Sequence, residues 1–196
     1  MKLQLSICVI LTISVLTMQC VQPSSGGNAD NSDIAGAYPQ SVVERGKYLV
    51  HAMGCDDCHS PKVMTPNGPM PDPERFLMGH PADEKLPEIT DKGMIAPGQW
   101  ALFNSSLTAA VGPWGTSFAA NLTPDDTGTG AWTEAQFFKA IREGKSKGMD
   151  GTRPLLPPMP WPAYANLNDE DLRAIFAYLR TIRPIKNVVP NPIPPM

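Results

Sequence analysis

The run Cys55-Asp56-Asp57-Cys58-His59 carries the most specific chemistry in the chain. Two thiols three positions apart can reach the two vinyl groups of one porphyrin and form thioethers. The imidazole that follows directly is then held under the iron as a proximal ligand. C-x-x-C-H is therefore the signature of covalent haem attachment. A bare redox pair would call for a βαβ setting, and none is visible. A zinc site would need two further ligands, and only His51 and His80 remain among the histidines. The motif occurs once, which implies one haem c, covalently bound.

An electron carrier also needs a ligand on the opposite face of the iron. Met159 lies in Leu155-Leu156-Pro157-Pro158-Met159-Pro160-Trp161-Pro162. Four prolines fix φ around it and exclude a helix, so the sulfur is presented at low entropic cost. A thioether is a weak neutral ligand that favours ferrous iron and raises the potential. Met70, in Pro69-Met70-Pro71, is a rival, as is His80, and an open sixth position is a third alternative. His80 reads more simply as a surface-loop residue, and His51 as a solvated or packed residue near the end of the first helix.

The chain has 196 residues, 42% of them hydrophobic and 18% charged, with a net charge of −3. That apolar fraction excludes wholesale disorder. The absence of a basic excess argues against a nucleic-acid surface. Pro and Gly number 22 and 16, where average usage would give roughly 24 in all, so much of the chain must be loop.

Met1-Lys2 and the apolar stretch Leu3 to Met18 are too short for a spanning helix and fit a signal-peptide core. The polar tract from Gln22 to Asp33 reads as a tether. An apolar run, Cys20 and a polar tether together resemble a bacterial lipoprotein signal, which implies a lipid on Cys20 and a membrane-anchored protein on the periplasmic side. Gln19 and Thr17 depart from that pattern, so plain secretion and an uncleaved anchor stay open. The expected divisions are a signal peptide over 1–19, a tether over 20–40, a haem domain over 41–189 with an insertion at about 61–130, and a proline-rich tail over 190–196.

Val42, Val43, Gly46, Leu49 and Val50 recur at helical spacing behind Ser41, an acceptable N-cap. Asn168 precedes three acids and the apolar stripe Leu172, Ile175, Phe176 and Leu179, a strong helix over 168–182. Thr133-Glu134-Ala135-Gln136 has the form of a capping box, opening a helix that ends at Gly144. Leu107 to Val111 and Thr116 to Asn121 flank Gly112-Pro113-Trp114-Gly115 and read as a β-hairpin. Pro61 to Gln99 reads as mostly irregular.

The motif between these two flanking helices resembles the class I c-type cytochromes, and Pro158-Met159-Pro160-Trp161-Pro162-Ala163-Tyr164 resembles the Met loop of cytochrome c subunits of membrane alcohol dehydrogenases. Asn121-Leu122-Thr123-Pro124-Asp125 and Thr127 to Thr133 extend the likeness over about residues 41–189. The resemblance implies a mostly α fold around one haem, with the long insertion carrying the hairpin, and it implies that Gly46 lets the last helix cross the first closely. Trp114, Asn121, Trp161 and Tyr164 are candidates to line the haem or bond its propionates, against ordinary packing. Arg75 and Arg153 are candidates to pair those propionates, against a solvated surface.

The resulting expectation is an exported protein that relays single electrons and is not itself an enzyme. Its partners would be a dehydrogenase donor and a terminal oxidase or second cytochrome as acceptor. A fixed subunit of an oxidoreductase complex, a haem enzyme or sensor with a labile sixth ligand, and a chiefly structural lipoprotein domain are the alternatives.

Overall fold

The computed structural model describes residues 37–195. The leader and Cys20 lie outside these residues. Helix α1, Gln40–Ala52, is followed by the one-turn helix α2, Cys55–His59, which carries the motif. The strands β1, Lys62–Thr65, and β2, Gly68–Pro71, pair antiparallel; β3, Leu102–Phe103, β4, Ala109–Gly112, and β5, Gly115–Phe118, form a second antiparallel sheet in that order. Then come α3, Glu134–Glu143, the short α4, Trp161–Tyr164, and α5, Asp169–Leu179.

The core is the crossing of α1 and α5. Val43, Gly46, Leu49 and Val50 form the buried face of α1. Leu172, Ile175, Phe176 and Leu179 meet it from α5, together with Ala174, Ala177 and Tyr178. Phe137 of α3 stacks on Phe176 with ring centroids 5.4 Å apart. A Cβ built on Gly46 would stand 1.8 Å from the Ala174 carbonyl oxygen. Only hydrogen fits there, so the close crossing requires the glycine.

The helix ends follow their local chemistry. Asn168 caps α5 by accepting from the Asp171 amide at 2.7 Å, and three acids occupy the first turn. Thr133 and Gln136 complete a reciprocal capping box, and Gly144, at φ 62°, terminates α3. At α1 the cap is Pro39, not Ser41, and no side chain bonds the first turn.

The insertion is more ordered than its composition suggests. The expected hairpin exists as β4 and β5, joined by the two-residue turn Pro113-Trp114, and β3 extends it. Within the stretch read as irregular, β1 and β2 form another hairpin around Pro66-Asn67. The fold is therefore helical at its core but mixed α and β around it.

Helix propensity alone would make Gly46→Ala stabilising by roughly 0.5–1 kcal/mol. The crossing geometry predicts the opposite, a loss of at least about 1–3 kcal/mol from overpacking. Chemical denaturation of the two forms decides the sign.

Candidate functional site: a chamber above the paired thiols

Helix α2 starts on Gly54, whose φ of 69° lets the chain turn sharply out of α1. Lys62 donates from Nζ to the carbonyls of Asp57 and Ser60, and so places a cation at the carbonyl end of this turn. Cys55 and Cys58 are both free thiols. Burial, helped by the Asp56 charge, pushes the Cys55 thiol up to about 12. Burial raises Cys58 as well, and the Asp57 charge adds to it. Neither is therefore a reactive thiolate at neutral pH.

His59 Nδ1 lies 2.7 Å from the Ala120 carbonyl oxygen. A carbonyl only accepts, so Nδ1 carries the proton and Nε2 keeps its lone pair. Burial holds the imidazole below the ordinary histidine range, and the Ala120 bond opposes this only in part. A neutral ring with a fixed tautomer and a free Nε2 is the form that binds a metal. Gly79 makes the bond attainable. Its amide donates to the His59 carbonyl at 2.8 Å, and a Cβ there would stand 2.5 Å from the Ala119 oxygen and 2.7 Å from the Ala120 oxygen.

A cavity of about 690 Å³ opens over this helix, lined by Cys55, Cys58, His59 and Met159 among others. Its size lies within the usual range for small-molecule and cofactor sites. Leu172, Ile175 and Leu179 of α5 supply part of its apolar wall. Met159 reaches it from the proline-rich loop, half-buried. Ser117 of β5 donates to the Pro157 carbonyl at 2.5 Å and ties that loop to the hairpin.

The remaining candidates divide. Tyr164 lines the cavity, but its hydroxyl donates to the Met53 carbonyl at 2.7 Å. Asn121 also lines it, with its amide nitrogen engaged by the Ile185 carbonyl at 2.8 Å and Thr127 Oγ1 at 3.2 Å, and its oxygen by Thr123. Both therefore brace the wall and do not offer a free polar group. Trp161 is absent from the lining; its ring covers Gly144, where a Cβ would meet it at 2.4 Å. Trp114 is absent too, folded over Gly112 at the hairpin turn with Nε1 on Ser117 Oγ at 3.3 Å.

The rival ligands lie elsewhere. Met70 sits on β2 opposite Val63, half-exposed and outside the lining. His80 is not the surface residue its sequence context suggests: it is fully buried, with Nδ1 3.0 Å from Thr108 Oγ1 and its ring tilted against Phe118. It too is outside the lining. Arg75 is bound to Asp72 at 2.7 Å, whereas Arg153 does line the cavity. His51 is exposed and bonds Asp56 at 2.8 Å.

Sequence reasoning missed the tail. Residues 188–192 form part of the cavity wall. Ile193 exchanges hydrogen bonds with Thr116 at 2.8 and 3.0 Å, adding a bridge beside β5. Asn187 anchors the segment through Met78 and His80 carbonyls at 2.7 and 2.9 Å. A proline-rich stretch has no apolar periodicity, so nothing in it announced a wall.

A largely apolar chamber that brings two thiols, an oriented imidazole and a thioether to its surface has the donor set and the space for a covalently attached porphyrin. The class is that of c-type haem proteins. The family model for cytochrome c matches residues 43–183, and the chain belongs to the cytochrome c family, class I. It is an electron-transfer protein with covalently bound haem c. It is 33% identical over 139 residues to the gluconate 2-dehydrogenase cytochrome c subunit of Pantoea cypripedii, covering 70% of this chain and 22% of that protein. It is 30% identical over 145 residues to the fructose dehydrogenase cytochrome subunit of Gluconobacter japonicus, covering 73% and 22%. The cytochrome c subunit of the quinone-dependent alcohol dehydrogenase of Gluconobacter oxydans is 40% identical over 75 residues, 37% of this chain and 15% of that protein. The chain thus spans less than a quarter of the length of these relatives. No helix among the described residues is long and apolar enough to cross a membrane.

The tail's place in the wall has a consequence for the iron. Truncation after Asn187 should admit water to the chamber and lower the midpoint potential, and optical redox titration of the truncated and full chains checks it.

Proposed function

We propose that the chain is a single-haem electron carrier of the cell envelope in which His59 and Met159 would hold the iron. The observation that carries the reading is that one cavity is lined both by an imidazole locked in the Nδ1–H tautomer and by a methionine on a proline-stiffened loop. When bound, haem supplies a one-electron couple between ferrous and ferric iron. The protein's own residues do the rest. Cys55 and Cys58 retain the cofactor, Ala120 orients His59, and the prolines about Met159 keep its sulfur from swinging. Leu172, Ile175 and Leu179 line the cavity with apolar surface and would keep water from the bound group. Two protein ligands leave no open coordination position for a substrate, in keeping with a carrier.

Electrons would enter from a dehydrogenase and leave to a terminal oxidase or another cytochrome, through small transient contacts. The leader favours export to the periplasmic side, with Cys20 as the site of a lipid anchor. A second reading is a fixed cytochrome subunit of a dehydrogenase complex. It is favoured by the names of the relatives that cover 70% and 73% of this chain.

Met159→Ala should abolish the ferric sulfur–iron charge-transfer band in the near infrared and open the ferrous iron to rapid carbon monoxide binding. The wild type should show the band and bind carbon monoxide slowly. A band that survives the substitution overturns Met159 as ligand.

A further inference from the structure

His80 is fully buried and lies outside the cavity lining. Its side chain makes one hydrogen bond, between Nδ1 and Thr108 Oγ1 at 3.0 Å. Nε2 finds no partner at hydrogen-bonding geometry, alone in this among the buried side-chain nitrogens and oxygens of the described residues. Burial holds the ring below the ordinary histidine range, with Glu84 opposing in part, so the imidazole is neutral at pH 7. An imidazole sealed in with half its polar capacity unused costs more than an apolar side chain of similar size. Broken local rules of this kind gather at functional positions, and the one bond that His80 does make shows what it serves.

That bond closes a ring. The His80 amide donates to the Ala119 carbonyl at 2.9 Å, and the Ala119 amide donates to the Thr108 carbonyl at 2.8 Å. The Thr108 hydroxyl then returns to the His80 imidazole. Both the amide and the carbonyl of Ala119 are thus held, and the next carbonyl, that of Ala120, is the one that receives His59 Nδ1 at 2.7 Å. The ring is anchored from outside. Asn104 Oδ1 accepts from the Ala109 amide at 2.9 Å, which turns Nδ2 toward Thr108 Oγ1 at 3.1 Å and Glu84 Oε1 at 3.0 Å. On the other side Leu77 donates its amide to Ser60 Oγ and receives the Leu122 amide on its carbonyl, each at 2.9 Å. Residues 77–80 therefore join the end of the motif to the segment that orients His59. Among these ties only the one to Thr108 uses the His80 side chain.

We infer that His80 is a positioning residue for His59, fixing through Thr108 and Ala119 the carbonyl that sets the His59 imidazole. The inference rests on the haem-binding reading of His59 and extends it to a residue that stands outside the chamber. A fixed Ala120 oxygen keeps the His59 Nδ1–H bond in place, and that bond raises the basicity of Nε2. A more basic imidazole favours ferric iron, so His80 holds the potential down. Opening the ring gives the Ala120 carbonyl freedom and leaves the His59 proton less protected.

The test uses the exported holoprotein with nitrogen-labelled histidine. Solvent exchange of the His59 Nδ1 proton is read by NMR, and the midpoint potential by optical redox titration. His80→Phe keeps a ring against Phe118 but loses the bond to Thr108. It should speed the exchange by up to about tenfold, the usual net effect of one hydrogen bond, and raise the potential. His80→Asn puts a polar atom where Nδ1 stood and should restore most of both. Thr108→Val removes the other partner and should speed the exchange alike. The double variant, His80→Phe with Thr108→Val, should exchange no faster than either single one, because both remove the same bond. If His80 only fills space, His80→Phe keeps wild-type values and His80→Asn does not. That pattern overturns the inference, as does additive acceleration in the double variant. If His80→Phe does not accumulate, Thr108→Val decides, and a wild-type exchange rate there overturns it. A wild type without covalent haem overturns the haem reading, and this inference with it.

Discussion

The hydrogen bond from His59 Nδ1 to the Ala120 carbonyl is the interaction on which the site depends. It joins residues 61 positions apart, the motif helix and the far end of the insertion. Without it the imidazole could rotate or change tautomer, and Nε2 would no longer be fixed as the nitrogen that carries the lone pair. The bond is in turn permitted by Gly79, whose missing side chain lets the Ala119–Ala120 backbone come close. An oriented ligand thus depends on two contacts with the insertion, one from the His59 side chain to the Ala120 carbonyl and one from the Gly79 amide to the His59 carbonyl.

The insertion is accordingly part of the site. Its second sheet provides cavity lining from Ala109, Ala110, Ser117 and Phe118, holds the methionine loop through Ser117, and receives the tail at Thr116. The segment after α5 is stitched back by Asn121, which bonds Ile185, and by Asn187, which bonds the backbone at Met78 and His80. The α1–α5 crossing sets the floor of the structure at Gly46, and these polar ties close the sides. Buried amides with matched donors and acceptors are well suited to that task, because each is costly to leave unpaired.

The elements governed by local chemistry were legible from sequence. The capping box at Thr133, the Asn168 cap, the apolar stripe of α5 and the hairpin around Pro113-Trp114 all depend on neighbouring residues. The motif thiols and His59 are legible for the same reason, since their spacing is itself the chemistry. Met159 stands out because prolines on both sides leave its loop few conformations. What could not be read depends on distant partners. His80 looks like a loop histidine until Ala119, Thr108 and Asn187 are brought around it. Trp114 and Trp161 are aromatic residues near the right motifs, but glycines at 112 and 144 offer them nearer surfaces to cover. Pairing of β1 with β2 and of the tail with Thr116 arises from backbone hydrogen bonds, which leave little trace in a proline-rich composition.

The account stands on a porphyrin joined to this chain by two sulfur–carbon bonds. The direct measurement is the intact mass of the mature protein, produced with a haem-attachment system and denatured in acid before weighing. The mass should exceed that of the polypeptide, with any lipid, by one haem, and Cys55→Ser and Cys58→Ser together should remove the increment. A wild-type mass equal to polypeptide plus lipid would contradict the account.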